Sequence, residues 1–453
     1  MTRAANPLRP APGAPRPYRF PDFQRRSLSN GLTVWLVPLA DRGLVNVHLL
    51  VDAGAAAEPE ERAGVAALTA QLLVTGTRRL DAAAFAAATE RLGIEVSSES
   101  SWDSARAAFQ TLPEHVDEGL ALLAEMVSEP RLDGDEFERL KGERLADILQ
   151  ARADAGRLAD EMFLRTLYAD GVPYARLSAG SPESVGALTV DHVRDFHGGH
   201  WGAGTAHLII AGGFDPATAM RSVEQHLGGW AGGGPGHRTI DVRAGGGRRV
   251  VIVDRPGSVQ SELRVGHIGI QRAHPEYFPA LVMAAVLGGV FGSRLNLRLR
   301  EELGYTYGAH AAFDPRRAPG PFTARAAVQT EVTAPAIREL LAQLDRLRAE
   351  APSAAELAEV RDFMIGVFPL RFESTGGVAA AIEPLAVYGL DDDYWQTYRS
   401  KLEVVGPADV QRVAGELIRP DELLILLSGD ADAVRDAVEA EGFGPLEVMA
   451  APS

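Results

Sequence analysis

The sequence contains no cysteine among its 453 residues. Disulfide bonds, thiolate ligands for zinc and a cysteine nucleophile are therefore all excluded. The composition is otherwise that of a globular protein, with 46% apolar and 23% charged residues. Because the chain is longer than one hydrophobic core usually supports, we expect two or more domains.

Long apolar runs are also missing. The longest one without charge extends from Phe278 to Gly292, which is shorter than the roughly 20 residues that a membrane-spanning helix needs. We expect this run to form a buried helix. Residues 1–20 are rich in proline and arginine and contain no apolar segment typical of a secretory signal. We therefore expect a flexible tail there, and a cytoplasmic protein.

Positive charge is in short supply, because 45 basic residues face 61 acidic ones and the formal net charge is −16. Proteins that bind nucleic acids rely on clustered lysine and arginine side chains that neutralise phosphates. The charge balance therefore argues against a nucleic-acid partner.

The sequence contains an internal repeat. Residues 187–215 align without gaps with residues 404–432, and each copy predicts a helix, a turn and an apolar strand that ends in glycine. Residues 135–149 likewise resemble residues 354–368. In each half, two β-rich segments precede an apolar helix. We therefore predict an α+β fold made of two homologous domains of about 200 residues each.

A glycine-rich segment separates the two copies. We interpret residues 229–247 as a flexible linker, since glycine at this density is typical of linkers and not of helices or strands. No Lys-Ser/Thr pair follows these glycines, so a phosphate-binding loop is not indicated. The predicted organisation is a tail over 1–20, a domain over 21–228, the linker, and a second domain over 248–447.

Three segments carry a resemblance to a known family: "VDAGAAAEPEERAGVAALTAQLLVTGT" (51–77), "PYARLSAGSPESVGALTVDHVRDFH" (173–197) and "FGSRLNLRLREELGYTYGA" (291–309). Together with the duplication, they resemble the pitrilysin/insulinase family of inverted-motif zinc peptidases. That family includes the mitochondrial processing peptidases and the core subunits of the respiratory bc1 complex. The resemblance extends from about residue 24 to about residue 445, and it implies two pitrilysin-like domains joined by the glycine-rich linker.

The resemblance also shows what the sequence lacks. Active members carry His-x-x-Glu-His on a helix, where both histidines bind zinc, the glutamate is the general base, and a distant glutamate completes the coordination. Here Ala67 and Gln71 occupy the histidine positions, Ala70 occupies the position of the base, and Gln150 lies near that of the distant glutamate. A methyl group donates no electron pair and a carboxamide is not a base. We therefore expect this chain to bind no metal and the zinc to lie on a partner chain.

The remaining histidines do not replace the motif. His197 and His200 form a close pair, but no carboxylate or third histidine lies near them in a ligand pattern. We interpret them as surface or packing residues in a glycine-containing turn. His207 lies in a predicted strand, where a core or edge position is expected.

The resemblance assigns a second motif to the other half of the chain. In the family, the pattern Leu-Arg-Glu-x-x-Gly-x-x-Tyr supplies an arginine that holds substrate backbone and a tyrosine that donates to the oxyanion at the zinc site of a partner chain. Here these roles fall on Arg300 and Tyr307. A shifted alignment would select Arg298 and Tyr305. Alternatively, the arginines form a solvated helical face paired with Glu301 and Glu302, and both tyrosines pack in the following strand.

The resemblance implies a function for a chain with half a site. The first interpretation is a non-catalytic subunit of a heterodimeric zinc peptidase, whose partner is a homologous chain with an intact zinc motif and whose substrate is a peptide. The segment 94–112 alternates like a strand, and edge strands of active members receive extended peptides. The alternatives are an inactive scaffold or core subunit, and a homodimeric peptide-binding accessory.

Overall fold

The computed structural model describes residue 13, residues 16–234, residue 236 and residues 239–452. Its first sheet has six strands in the order β1-β2-β6-β3-β5-β4. The strands are β1 (Gln24–Ser27), β2 (Thr33–Pro38), β3 (Val45–Val51), β4 (Glu95–Ser100), β5 (Ala105–Thr111) and β6 (His207–Gly212). All seven residues of β3 are buried. A strand buried along its whole length indicates a sheet that is covered on both faces.

The described part of the first half contains eight α-helices. They are α1 (Val65–Leu73), α2 (Ala82–Arg91), α3 (Val116–Ser128), α4 (Gly134–Ala153), α5 (Ala155–Leu167), α6 (Pro182–Ala187), α7 (Val190–His200) and α8 (Pro216–Leu227). The break between α4 and α5 lies at Asp154, whose carboxylate accepts a hydrogen bond from the Arg157 amide at 2.8 Å. Asp154 thereby satisfies a free backbone donor at the start of α5.

The second sheet has the order β12-β7-β11-β8-β10-β9. Its strands are β7 (Arg249–Asp254), β8 (Gln260–Ile268), β9 (Ala309–Phe313), β10 (Pro321–Gln329), β11 (Leu424–Gly429) and β12 (Leu446–Ala450). The helices of this half are α9 (Tyr277–Ala284), α10 (Thr333–Ala349), α11 (Ala354–Val367), α12 (Thr375–Tyr388), α13 (Tyr394–Glu403), α14 (Pro407–Leu417) and α15 (Ala431–Ala440). Two π-helical segments cover Ala285–Gly289 and Asn296–Glu302.

The predicted duplication is confirmed by the topology. Five strands of each sheet follow one order, because β2-β6-β3-β5-β4 corresponds to β7-β11-β8-β10-β9. The sixth strands differ, since β1 runs antiparallel to β2 whereas β12 runs parallel to β7. The run from Phe278 to Gly292 forms α9 and the first π-helical segment, in keeping with the buried helix that its composition predicts. No described helix combines the length and the apolar character needed to cross a membrane.

The two halves exchange a helix. Helix α5 of the first half packs against β8 and β11 of the second sheet, while α12 of the second half packs against β3 and β6 of the first sheet. Trp35 and Ile209 of the first sheet share one hydrophobic core with Ile382 and Leu385 of α12. The two helices follow the duplicated helices α4 and α11, so the exchange is reciprocal. Each sheet therefore obtains part of its cover from the other half of the chain.

A loop of the second half adds a polar contact between the domains. The Arg316 guanidinium lies 4.4 Å from the centre of the Trp102 ring and 4.7 Å from that of Tyr174. The Arg317 amide donates to Asp103 at 2.9 Å, and the Tyr174 hydroxyl donates to the same carboxylate at 2.8 Å. Cation–π contacts and charge-assisted hydrogen bonds are strong when they are shielded from water. They join the loop between β9 and β10 to the first domain.

The segment expected to form one strand over 94–112 forms two. Strands β4 and β5 pair antiparallel, with a turn in which the Ser101 amide donates to the Ser104 carbonyl at 2.8 Å. Asp103, in this turn, is buried and accepts a hydrogen bond from the Tyr174 hydroxyl. Strand β4 lies at the edge of the first sheet, as β9 does in the second.

The tail expected over residues 1–20 is described only from residue 16 onward, apart from residue 13; the rest of it lies outside the described residues. The last residues of this segment are packed against the second half of the chain. The Tyr18 ring stacks on Phe372 with centroids 5.8 Å apart, and Phe20 is buried beside Trp395. Aromatic packing of this kind holds residues 16–20 in place.

The predicted linker, residues 229–247, makes defined contacts at both ends; residues 235, 237 and 238 lie outside the described residues. Near its start, Trp230 is buried and the Gly232 carbonyl accepts from the Gly204 amide at 3.0 Å. Near its end, the Gly245 amide donates to the Leu167 carbonyl at 2.8 Å. The glycines at these points allow close backbone approach, so both ends of the segment lie against the first half of the chain.

Candidate functional site

Helix α1 carries the degenerate zinc motif, and it begins at a buried carboxylate. The Glu58 side chain accepts hydrogen bonds from the Gly64 amide at 3.1 Å and from the Ala66 amide at 2.7 Å. These bonds satisfy amides that the first turn of a helix leaves free. Burial raises the pKa of Glu58 to about 7, although the two amides and the Arg176 charge act in the opposite direction. The start of α1 is thus held by the Glu58 carboxyl group, which binds a proton more tightly than an ordinary glutamate.

The four degenerate positions do not fit a zinc ion. Ala70 has 0% exposure and Ala67 is buried, so both methyl groups contribute to packing around α1. The carboxamide oxygen of Gln71 is buried and has no hydrogen-bond partner among the described residues, while Gln150 is exposed on α4. One amide oxygen cannot replace the three or four nitrogen and oxygen ligands that zinc requires. The described part of the chain holds no group of three or more histidine, aspartate or glutamate side chains suited to a metal.

The histidine pair has a packing role, but its backbone differs from the expected turn. His197 and His200 lie in the last turn of α7, because Gly198 and Gly199 continue the helix. His197 lies 2.9 Å through Nε2 from the Val127 carbonyl, and burial lowers its pKa. The His200 ring stacks on Phe196 with centroids 4.3 Å apart. Both rings therefore stabilise the packing of α7.

Arg300 lies on the second π-helical segment with its charge only loosely engaged. The guanidinium lies 4.5 Å from the centre of the exposed Phe291 ring, and its closest carboxylate contact is Glu301 at 3.6 Å. Leu299, the residue before Arg300, is buried and anchors the segment to the core. A half-exposed guanidinium on an aromatic ring keeps its edge available for hydrogen bonds.

Arg298, the alternative arginine, is held by two carboxylates. It donates to Glu339 on α10 at 2.7 and 3.0 Å and to Glu302 at 2.8 Å. A bidentate pair with a carboxylate fixes a guanidinium in one orientation. The expected solvated arginine face is also divided, because Arg294 pairs with Glu356 on α11 at 2.7 Å. Arg300 is the least constrained of these three arginines.

The two tyrosines differ in the same way. Tyr305 is partly buried against the core of the second domain, and its amide donates to the Leu299 carbonyl at 2.8 Å. Tyr307 is 92% exposed, in a turn where the Thr306 hydroxyl donates to the Gly308 carbonyl at 2.8 Å. Neither tyrosine lies in the following strand, because β9 begins only at Ala309. The turn directs Tyr307 into solvent.

The two parts of the candidate site belong to different domains. Helix α1 contacts α4, α7, β4 and β5 in the first domain. The segment Asn296–Glu302 contacts α10 and β9 in the second domain. Arg300 and Tyr307 therefore share one segment of the second domain, and the degenerate zinc positions lie in the first.

Family models match both halves. The model of insulinase, peptidase family M16, matches residues 40–178, and the model of the peptidase M16 inactive domain matches residues 187–364. The chain belongs to peptidase family M16. The family resemblance that the three sequence segments indicated is thereby confirmed, since pitrilysin and insulinase are names for this same family.

Some proteins similar to this M16 chain are named as proteases and others as non-peptidases. A Helicobacter pylori protein named non-peptidase homolog YmxG is 23% identical over 366 residues, which cover 79% of this chain and 82% of the relative. An uncharacterized zinc protease of Streptomyces coelicolor is 24% identical over 439 residues, 92% of each chain. The crystal structure of a peptidase M16 inactive domain from Pseudomonas fluorescens has a TM-score of 0.84 at 23% identity, covering 90% of this chain and 98% of that one. That likeness shows the fold.

Two residues that contact the arginines of the Asn296–Glu302 segment were not identified from the sequence. Phe291 lies under the Arg300 guanidinium, and the sequence contains no signal for this contact because Phe291 is the next-to-last residue of the apolar run from Phe278 to Gly292. Glu339 holds Arg298 from a distance of 41 positions along the chain. No local pattern links Glu339 to the motif, so only the folded chain reveals this pair.

Proposed function

We propose that this chain is the non-catalytic subunit of a heterodimeric zinc peptidase of family M16. A homologous chain with an intact His-x-x-Glu-His motif would be the partner, and a peptide would be the substrate. The observation that carries the proposal is the exposure of Tyr307, whose ring is held in solvent by an ordered turn. Exposed tyrosine and arginine side chains are typical of residues that a partner covers.

In the proposed pair, each chain contributes two domains to a chamber that admits peptides. The zinc ion and the general base belong to the partner, where the metal supplies an activated water for hydrolysis. Tyr307 donates its hydroxyl hydrogen to the oxygen on which negative charge develops. Arg300 donates to a backbone carbonyl of the peptide and orients it. Such donors lower the barrier because they are already positioned where the charge appears.

The contrast between the two arginine–tyrosine pairs supports this assignment. Arg298 is already neutralised by Glu339 and Glu302, and Tyr305 already packs in its own domain. Reaching a partner would require both to give up these contacts. Arg300 has only its contacts with Phe291 and Glu301, and Tyr307 is exposed, so this pair would give up less to act on a second chain.

The experiment is co-expression with a homologous chain that carries the intact motif, encoded next to this gene where such a neighbour exists. Co-purification, zinc content and cleavage of unstructured peptides are then measured for each chain alone and for the mixture. We expect one zinc ion per heterodimer and cleavage only by the mixture. A mixture whose partner carries glutamine in place of the motif glutamate is the inactive control, because it assembles without the general base.

A second candidate function is an inactive scaffold subunit, favoured by the similarity to a Helicobacter pylori relative named as a non-peptidase. In that case Arg300 and Tyr307 are packing residues of an assembly. Full activity of the motif-bearing chain alone, or stable assembly without any gain in cleavage, would favour the scaffold. Peptide binding by this chain alone without hydrolysis would instead favour the peptide-binding accessory.

A further inference from the structure

A polar cavity of about 320 Å³ lies between the two domains, apart from the candidate site. Asp52, directly after β3, and His207, at the start of β6, contribute to its wall from the first domain. Arg272, Arg317 and Tyr388 contribute from the second half. Since one water molecule occupies about 30 Å³ of liquid, the cavity has room for a small organic molecule.

The charges in this wall do not balance. Arg317 is neutralised by Asp52, to which its guanidinium donates at 2.7 Å. Arg272 is only 8% exposed, and no carboxylate pairs with it in the part of the chain that the structure describes. A buried guanidinium without a negative partner is costly, because it has lost its water without gaining an opposite charge. Among the charged residues that line the cavity, Arg272 is therefore the one without an oppositely charged partner.

Arg272 is oriented by aromatic groups that leave hydrogen-bond donors free. Its guanidinium carbon lies 4.0 Å from the centre of the Tyr277 ring and 4.9 Å from that of Tyr394. One of its terminal nitrogens donates to the Tyr394 hydroxyl at 2.7 Å. The Nε and Nη1 donors have no partner among the described residues. The guanidinium is thus preorganised, with two nitrogens available to a ligand, at the boundary between this cavity and a neighbouring one that Tyr277 and Tyr394 line.

Two further donors line the same cavity. The Trp35 indole donates to Nδ1 of His207 at 3.3 Å, so the neutral ring of His207 carries its hydrogen on Nε2. Burial lowers the pKa of His207, which keeps this ring neutral. Burial, followed by the nearby carboxylates Asp103 and Asp314, raises the pKa of Tyr388 to about 12, so its hydroxyl stays protonated. Among the described residues, no group accepts a hydrogen bond from either donor.

We propose that this cavity binds a small organic monocarboxylate, paired with Arg272 and hydrogen-bonded by His207 and Tyr388. One negative charge matches the one unpaired positive charge. A doubly charged phosphate would leave an excess negative charge close to Asp52, and a neutral molecule would leave Arg272 without a counter-charge. The carboxylate joins residues of both domains, so its binding stabilises their arrangement. This site is independent of the proposed partner and its zinc.

The test uses the full chain and propionate as the probe, with propionamide as its uncharged counterpart and inorganic phosphate as the anion of higher charge. Isothermal titration calorimetry measures affinity, and thermal unfolding measures the stabilisation that a ligand of the folded state produces. We expect saturable binding of propionate, a rise in Tm, and binding of propionamide and phosphate that is at least about tenfold weaker. Equal binding of propionamide, or tighter binding of phosphate, would overturn the assignment.

Variants locate the site. Arg272→Gln removes the unpaired charge, and we expect it to lower propionate affinity by more than about tenfold. Tyr388→Phe removes a single donor and keeps the ring, so a loss of about threefold to tenfold is expected even if Arg272→Gln fails to fold. Tyr168→Phe is the matched control, because its buried hydroxyl donates to the Pro319 carbonyl outside this cavity. Absence of saturable binding, or the same affinity in Tyr388→Phe as in the control, contradicts the proposal.

Discussion

His48 and Glu383 are joined by a contact of 2.6 Å between Nδ1 and a carboxylate oxygen, which links strand β3 of the first sheet to helix α12 from the second half. Arg106 on β5 donates to the same oxygen at 3.0 Å. The pKa of Glu383 lies below its usual range: burial acts to raise it, but the bond to His48 and the Arg106 charge outweigh burial. The exchanged helix is therefore attached by charge as well as by packing.

Replacing Glu383 with glutamine tests this attachment. A carboxylate whose pKa is lowered by folding stabilises the protein above its unfolded pKa of about 4.3, and this contribution is lost as the pH falls through the folded value. We expect Glu383→Gln to lower the free energy of unfolding by about 2 kcal/mol near pH 7. The difference from the wild type should shrink below about pH 4, as measured by urea unfolding over a pH series. Glu373→Gln, at an exposed position one residue before the N-cap of α12, is the control and should change little.

The buried Glu58 predicts the opposite pH dependence. Its pKa is raised from 4.5 to about 7, so the folded state retains a proton that the unfolded chain releases. Stability should therefore fall by about 3 kcal/mol as the pH rises from about 4.5 to about 7. Glu58→Gln keeps an acceptor for the Ala66 amide but does not titrate, so its unfolding free energy should lack this decline. If the unfolding free energies of the wild type and the variant changed with pH in parallel, the raised pKa of Glu58 would be contradicted.

Substitutions at the two tyrosines test whether Tyr307 is an oxyanion donor or a packing residue. In the reconstituted heterodimer, Tyr307→Phe should lower kcat by about 100-fold or more, because one donor to the developing charge is lost. The strength of assembly should be unchanged, since the ring remains. Tyr305→Phe is the matched control and should leave kcat close to the wild-type value. Unchanged turnover in Tyr307→Phe at full assembly would exclude the oxyanion role.

Because α1 is tightly packed, we expect that restoring only the general base of the zinc motif lowers the stability of the protein. The Ala70 side chain has 0% exposure, so Ala70→Glu places a carboxylate in a filled, apolar environment. We expect a loss of about 3 kcal/mol or more in the free energy of unfolding, from overpacking and from a buried charge without a partner. Gln150→Glu introduces the same group on an exposed face of α4 and should change stability by less than about 0.5 kcal/mol. Similar stabilities of the two variants would show that Ala70 is accessible.

Much of the fold followed from local patterns. The β-rich segments that form β3 and β7, the helix starts, and the near-identical order of elements in the two halves were visible in the chain as written. The topology confirmed the duplication, since both sheets repeat one strand order. The hairpin of β4 and β5 was missed, and the contact between Asp103 in its turn and Tyr174, about seventy positions away, is not visible in a local pattern. The turn expected at His197 was wrong, because two glycines do not by themselves end a helix that is capped and packed.

By itself, the sequence determined that this protein lacks the nitrogen ligands and the base of a zinc peptidase, since Ala67, Ala70 and Gln71 are chemical facts before any folding. The motif spacing favoured Arg300 over Arg298, but only the tertiary structure shows how their surroundings differ, because Glu339 reaches Arg298 from another helix. The tertiary structure also decided that α5 and α12 cover each other's sheets. An amphipathic pattern shows that a helix buries a face, but the surface that covers it is chosen by contacts between distant parts of the chain.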